Sequence, residues 1–151
     1  MIPPPTPDPS DIPALLRGAR GSYGNAIAAM LADAGFDDLP RNGPFVLGGM
    51  ANHGGSAVEM IQGLGVSRQA ASQLIDTLVL REYLDRHINS NDRRRMDIVL
   101  TDRGRSAAAV VRAAVEKVDR RLTSMLSSEE LAGLRAGLAA LAAIKEDSQG
   151  D

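Results

Sequence analysis

The pattern of apolar and polar positions predicts a mostly helical chain. Apolar residues recur every three or four positions, the spacing that places them on one face of a helix. Asp11 could cap the first helix, and Gly35 could end it. The first part of the chain then contains three predicted helices, at 13–34, within 39–50 and at 56–64.

A glycine turn joins the third predicted helix to a fourth. Gly65 makes the turn, Ser67 could cap the new helix, and the apolar spacing predicts that this helix extends from Arg68 to Arg81. Helix, glycine turn and helix in this order are typical of a helix-turn-helix motif, although many buried helical hairpins have the same pattern. The side opposite the apolar face carries Arg68, Gln69, Ser72, Gln73 and Asp76.

Two short strands are predicted next, at Leu84–Ile88 and Met96–Leu100, joined by the polar turn NSNDRRR. A basic hairpin directly after a helix-turn-helix is expected to be a wing, whose arginines can reach the DNA backbone or a minor groove. Asp92 would repel phosphate, so its expected use is to orient one neighbouring arginine through a charge-assisted hydrogen bond. The alternative is a solvated turn whose charges only keep it soluble.

The C-terminal third predicts two more helices. Thr101 could cap a helix that extends to about Met125, and Ser127 with Glu130 matches a capping box before the next helix. Apolar residues step by 3 and 4 along both helices and form seams that one small domain can hardly bury. We therefore expect a homodimer interface made together with the N-terminal helix, and the alternative is a helical hairpin within one chain.

Composition restricts the classes of function. Cysteine is absent, which excludes disulfides and thiolate metal sites. No apolar run approaches the ~20 residues of a membrane helix, and no signal peptide is visible, so a cytoplasmic protein without a membrane partner is expected. His53 and His87 lack metal-binding spacing, and no catalytic constellation is found. Neither an enzyme nor a metal or cofactor is expected.

Four motifs, LGVSRQAASQLIDTL, YLDR, NDRRR and VLTDRGR, make residues 63–105 resemble the MarR-type winged helix-turn-helix transcription regulators. The resemblance implies a mostly α fold with a small β-wing, in which a winged helix-turn-helix region at 36–100 is flanked by N- and C-terminal dimerisation helices. Those helices would lie at 11–35 and within 101–151, and prolines make residues 1–10 a mobile tail.

The resemblance also implies roles for individual residues. The second helix of the motif would enter the major groove and a wing arginine the minor groove, which makes Asp92 the orienting acid and Arg94 the groove arginine. Glu82 departs from the family pattern, because it stands where glycine is usual and where a positive φ could be needed. The residues expected to contact DNA are Ser67, Arg68, Gln69, Ser72, Gln73, Asp92, Arg93, Arg94 and Arg95.

The function implied is that of a dimeric repressor that binds a near-palindromic operator and is released by a small aromatic or phenolic anion. Tyr23, Met50 and His53 are the candidates for lining the effector site, although each could instead be a core-packing residue. A winged-helix module that binds proteins and not DNA is the alternative, which Glu82 and the net charge of -2 would suit.

Overall fold

The computed structural model describes residues 11–54 and 56–147. The proline-rich segment 1–10, predicted to be a mobile tail, lies outside the described residues, as do Gly55 and residues 148–151. None of the described helices is long and apolar enough to cross a membrane. The elements in chain order are α1 Ile12–Asp33, α2 Gly43–His53, α3 Ala57–Gln62, α4 Arg68–Leu80, β1 Leu84–Ile88, β2 Met96–Leu100, α5 Asp102–Met125 and α6 Ser128–Asp147.

Side-chain caps fix the starts of most helices that the sequence predicted. The Oγ of Ser67 accepts the N–H of Ala70 at 3.2 Å, and the Oγ1 of Thr101 accepts the N–H of Gly104 at 2.9 Å. Ser127 and Glu130 exchange both hydrogen bonds of a capping box. These three predictions are confirmed, because each cap satisfies an N–H that the helix itself leaves unpaired.

The predicted cap at Asp11 is wrong. Asp11 stands directly before α1, but its side chain accepts no hydrogen bond from the helix. Its backbone, with φ -91° and ψ 6°, lies outside the extended region that a capping side chain requires. Pro13 in the first turn lessens the need for a cap, since proline has no N–H to satisfy.

The described residues form two compact units, which divide between Val115 and Glu116. The first unit holds the hydrophobic core, to which α1 to α5 and the sheet all contribute. Each large apolar side chain buried there stabilises the fold by roughly 1.5–3 kcal/mol. The largest fully buried side chains are Tyr83, Leu47, Ile61, Leu78, Leu84 and Val46.

The two predicted strands form an antiparallel hairpin. Leu84 pairs with Leu100 at its base, and Ile88 pairs with Met96 near its turn. Leu84 is buried in the core, whereas Ile88 and Met96 are exposed. The hairpin is therefore anchored at its base and projects its turn into solvent, which confirms the predicted wing.

The second unit contains the end of α5 and α6. Along α6, apolar side chains at the predicted 3 and 4 spacing stay largely exposed, with Leu134, Leu138 and Leu141 each about two-fifths accessible. An exposed apolar row of this kind is typical of a helix that packs against a partner. The dimer interface stays a prediction, and this unit is compatible with it.

Candidate nucleic-acid interface

The polar face of α4 is exposed along its first two turns. Arg68, Gln69, Ser72 and Gln73 all face solvent, while Ile75 and Leu78 of the same helix are buried. Ser67 directly precedes them as the cap, and a hydroxyl that accepts one hydrogen bond still has its own proton to donate. The structure thus brings together the five residues that were predicted on this helix as DNA contacts.

Asn89 organises the wing turn, a role that the sequence analysis did not assign. Its Oδ1 accepts the backbone N–H groups of Asn91 at 2.8 Å and Asp92 at 2.9 Å. Its Nδ2 donates to both carboxylate oxygens of Asp97, at 3.1 and 2.9 Å. The turn is therefore tied to the strand that follows it. The signal was an asparagine at the start of a hairpin turn, a position where Asn commonly bonds to the backbone ahead of it.

The expected role of Asp92 needs a correction. Its Oδ1 accepts the backbone N–H of Arg94 at 3.0 Å, and its carbonyl accepts the N–H of Arg95 at 2.9 Å. In the described part of the chain no ion pair joins Asp92 to a wing arginine. Asp92 therefore shapes the backbone that carries Arg94 and does not hold the guanidinium group, because a short carboxylate reaches nearby N–H groups most easily.

The wing presents its three arginines at the tip of this turn. Arg93, Arg94 and Arg95 are all exposed. The hydrogen bonds that build the turn use backbone groups of Arg94 and Arg95 and side chains of their neighbours. The turn geometry consequently places no demand on the guanidinium groups.

Two polar contacts join or flank the stem of the wing. The guanidinium of Arg86 on β1 donates to the carboxylate of Asp76, which is exposed on the polar side of α4 as predicted. Both side chains are well exposed, and such a pair contributes little, roughly 0–1 kcal/mol. The Nε2 of His87 lies 2.9 Å from Oδ2 of Asp85, and this contact holds the pKa of Asp85 below its usual value.

Residues 81–83, which we call the corner, connect α4 to β1. Glu82 has a φ of 62° and is the one residue other than glycine with a positive φ in the described ranges. The Oγ1 of Thr101 donates to the carbonyl of Glu82 at 2.6 Å, and the N–H of Thr101 donates to the carbonyl of Tyr83 at 3.2 Å. The prediction that position 82 needs a positive φ is confirmed, and the end of β2 holds the corner in place.

Tyr83 lies at the centre of a polar cluster beneath the corner. Its O–H donates to Oδ1 of Asp38, and the guanidinium of Arg103 lies 4.3 Å from the centre of its ring. Burial, followed by the hydrogen bond to Asp38, raises the pKa of Tyr83 to about 12. The same hydrogen bond and the nearby charge of Arg103 hold the pKa of Asp38 below its usual value.

Both arginines of the cluster also bind backbone. Arg103 donates to Oδ1 of Asp38 at 3.2 Å and to the carbonyl of Arg81 at 2.6 Å. Arg81 donates to the carbonyl of Asp38. The sequence analysis missed Asp38 altogether, because no local pattern distinguishes an aspartate in a loop that bonds to residues far along the chain.

A cavity of about 720 Å³ lies within the first unit. Tyr23 and His53, two of the predicted effector residues, are in its lining. Met50 is not in this lining and is 9% exposed within the hydrophobic core, which fits the core-packing alternative, and its place in an effector site stays a prediction. Apolar side chains dominate the lining, and Arg20, Asp37 and Arg41 add charge. The apolar members with large side chains are Ile27, Leu31, Phe36, Leu39, Pro44, Phe45, Met60, Leu64, Val111 and Val115.

The sequence of residues 38–95 matches the model of the MarR family. Over this segment the chain is therefore similar to the MarR-type regulators. The matched segment begins at Asp38 and ends at Arg95, so it contains α2, α3, α4, the corner and the wing turn. No curated protein matches the chain.

Solved structures show the same fold over most of the chain. Streptococcus pneumoniae FabT in complex with DNA is 19% identical, with a TM-score of 0.78, and the alignment covers 93% of this chain and 99% of FabT. S. aureus MepR in a complex with DNA is 20% identical, with a TM-score of 0.69 and coverage of 87% and 96%. Bacillus subtilis YusO is 26% identical, with a TM-score of 0.56 and coverage of 88% and 93%. The MarR-type fold thus extends beyond the segment that the family model matches.

S. aureus MepR has also been solved bound to ethidium bromide. That structure is 21% identical to the present chain, with a TM-score of 0.58, and the alignment covers 87% of this chain and 94% of MepR.

Proposed function

We propose that this protein is a dimeric DNA-binding transcriptional regulator, a repressor that a small molecule releases from a near-palindromic operator. One observation carries the proposal: the exposed polar face of α4 and the arginine-tipped wing belong to the same compact unit and are joined by the corner. FabT and MepR, which share the fold, were both solved with DNA.

In the proposed complex, α4 reads the major groove. Arg68, Gln69 and Gln73 have the side chains for this work, because Arg pairs bidentately with guanine and Gln with adenine. Ser67 and Ser72 are suited to phosphate or base contacts. All five lie at the exposed start of the helix, and the buried face of α4 fixes their direction.

The wing adds a contact with the minor groove or the backbone. Arg94 is the proposed groove residue, and Arg93 and Arg95 flank it. Residues 67–105 contain eight Arg against six Asp or Glu, so the local surplus of positive charge is small. DNA binding therefore depends on where a few arginines are placed. The ordered turn around Asn89 contributes directly, because it positions the wing arginines.

A second copy of the chain completes the proposed regulator. Apolar side chains on α1, including Leu15 at 50% exposed, and those on α6 supply the seams. A dimer presents two copies of α4 about one DNA turn, roughly 34–36 Å, apart, which is the reason for expecting a near-palindromic operator.

The cavity is the proposed effector site. Its volume of about 720 Å³ lies within the range of roughly 300–1,000 Å³ that is usual for small-molecule pockets. The apolar lining suits an aromatic body, and Arg20 and Arg41 suit an anionic group, with Tyr23 and His53 as further contacts. The MepR structure with ethidium bromide supports an aromatic ligand for a protein of this fold.

The test is equilibrium binding to the DNA upstream of the protein's own gene, at ~50 and ~200 mM salt. Wild type should bind tightly at the lower salt and lose affinity steeply at the higher. Arg94→Ala should weaken binding by about 1–3 kcal/mol while leaving the thermal melt unchanged. Arg121→Ala, which removes an exposed arginine of α5, is the matched control and should bind as wild type does.

If wild type selects no sequence from random genomic fragments, the DNA-binding proposal fails. The winged-helix protein-interaction module would then be the remaining candidate. If Arg94→Ala instead lowers the melting temperature, Arg94 is a structural residue, and another residue of the wing must contact DNA.

A further inference from the structure

The segment 36–42 contacts both the cavity and the corner. Six of its seven residues line the cavity. Asp38 is the exception, and it bonds instead to Tyr83 and Arg103. One short stretch of chain thus lines the cavity and also contacts the base of the candidate DNA-binding surface. The six lining residues are Phe36, Asp37, Leu39, Pro40, Arg41 and Asn42.

Asp38 holds the corner through both its side chain and its backbone. Its carboxylate accepts from the O–H of Tyr83 and from the guanidinium of Arg103, and its carbonyl accepts from the guanidinium of Arg81. Arg103 also donates to the carbonyl of Arg81 at 2.6 Å. Since α4 ends at Leu80 and β1 begins at Leu84, these bonds fix the residues that set the direction of both elements.

An aromatic contact connects the same two regions. The rings of Phe36 and Tyr83 lie 6.1 Å apart between centroids, at an interplanar angle of 57°. Phe36 belongs to the cavity lining, while Tyr83 is fully buried. A molecule that pushes on Phe36 therefore also pushes on the ring whose hydroxyl binds Asp38.

We propose that Asp38 and Tyr83 form a latch that couples occupation of the cavity to the position of α4 and the wing. This inference rests on the proposed function, since it explains how an effector would lower DNA affinity. A ligand shifts an equilibrium only if it binds two states differently. An occupant that displaces residues 36–42 breaks or strains the latch, and the corner can then leave the arrangement that presents both reading elements.

Tyr83 is the more sensitive member of the latch. Asp38 and Arg103 are 39% and 36% exposed, so water can replace part of what they lose. Tyr83 is 0% exposed, and a buried hydroxyl that loses its acceptor has no solvent to replace it. Loss of the hydrogen bond between the two residues therefore costs more at Tyr83 than at Asp38.

The test fills the cavity covalently, so it requires no knowledge of the natural ligand. The chain has no cysteine, and a single Ala28→Cys substitution in the cavity lining can be labelled uniquely with benzyl methanethiosulfonate. Asn25→Cys, exposed on the same helix but outside the lining, is the matched control. Each is made in the full-length wild-type, Tyr83→Phe and Asp38→Asn chains, with folding verified by thermal melts.

Two readouts are compared before and after labelling. The first is the dissociation constant for DNA. The second, which needs no DNA, is hydrogen exchange at the backbone amides of Tyr83 and Thr101, which report the two sides of the corner. Labelling Ala28→Cys in the wild-type chain should weaken DNA binding by about tenfold, within the usual range of allosteric coupling, and speed exchange at both amides. Labelling Asn25→Cys should do neither.

In the Tyr83→Phe and Asp38→Asn chains the label should change DNA affinity by less than about threefold, because the coupling is already lost. Label effects of the same size in latch-deficient and wild-type chains would overturn the proposal, as would an absence of any label effect in the wild-type chain. If no form binds DNA, the proposed function fails, and the exchange data alone decide whether the latch links the cavity to the corner.

Discussion

Gly104 lies directly against the carbonyl group of Tyr83. A Cβ at position 104 would approach that oxygen well inside the 3.0 Å that real Cβ atoms respect. The oxygen cannot move away easily, because it also accepts the N–H of Thr101 at 3.2 Å. The VLTDRGR motif therefore has a physical meaning here: its threonine, Thr101, ties the corner to the start of α5, and its glycine, Gly104, leaves room for the corner to lie there.

Gly104→Ala should lower the free energy of unfolding by about 1–3 kcal/mol, as overpacking usually does, because backbone must shift to admit the methyl group. Urea denaturation measures the loss. Gly18→Ala is the control, since a Cβ there meets nothing within 4 Å, and alanine should raise helix stability by up to about 1 kcal/mol. An equal change in the free energy of unfolding at the two positions would mean that the corner moves aside at little cost.

Glu82→Gly should stabilise the protein by up to about 1 kcal/mol, whereas Glu82→Ala should not. The positive φ of 62° costs any residue with a Cβ roughly 1–2 kcal/mol. Glycine avoids this cost, but it loses more conformational entropy on folding, so the net stabilisation is smaller. Both substitutions remove the same negative charge, so a difference between their thermal melts isolates the backbone effect. Identical melts would show that position 82 is not strained.

Asn89→Ala should loosen the wing tip with little change in overall stability. It removes the acceptor of two backbone N–H groups, so hydrogen exchange at the amides of Asn91 and Asp92 should accelerate. DNA affinity should fall with it, because the arginines then lose their ordered backbone. Ser90→Ala, an exposed neighbour in the same turn, serves as the control. Unchanged exchange at both amides would contradict the role assigned to Asn89.

Tyr83 should make stability sensitive to alkaline pH. Its pKa in the folded protein is raised to about 12, above the value of about 10 for free tyrosine. The neutral phenol therefore stabilises the fold below about pH 10, and this contribution is lost as the pH rises through about 12. Denaturation at a series of alkaline pH values measures the effect, and Tyr83→Phe should flatten the decline. An equally steep decline in that variant would assign the effect to other groups.

Asp38 should act in the opposite pH range. Its pKa is lowered in the fold by the hydrogen bond from Tyr83, so the ionised carboxylate stabilises the protein above its unfolded value of about 4. That contribution is lost as the pH falls further, through the folded pKa. Asp38→Asn should therefore reduce the acid dependence of unfolding, measured by urea denaturation at a series of acidic pH values, and an unchanged dependence would contradict this role of Asp38.

Local sequence patterns predicted the elements of this fold well. The apolar spacing of α4 and the cap at Ser67 depend on residues a few positions apart, and the structure confirms both. The positive φ at Glu82 was also predicted, because the position after a helix often adopts it.

The contacts that organise the candidate site were harder to predict. Tyr83 and Arg103 meet Asp38 across 45 and 65 positions of sequence, and nothing near Asp38 marks it as their partner. Met50 shows a related difficulty, since an apolar residue of the core and one of a cavity lining look alike in sequence. Asp92 was assigned to a guanidinium group, but its carboxylate accepts the backbone N–H of Arg94, two residues along the chain.

If the protein is the proposed effector-released repressor, the segment 36–42 has a consequence for genetics. Substitutions at its cavity-lining positions would alter which molecules induce the target genes, and they would do so with the operator still recognised. Substitutions at Asp38 would open the latch without any inducer, so the target genes would be expressed constitutively. Neighbouring codons would then give distinct phenotypes, and a reporter screen over this one segment could sort inducer-specificity alleles from constitutive ones.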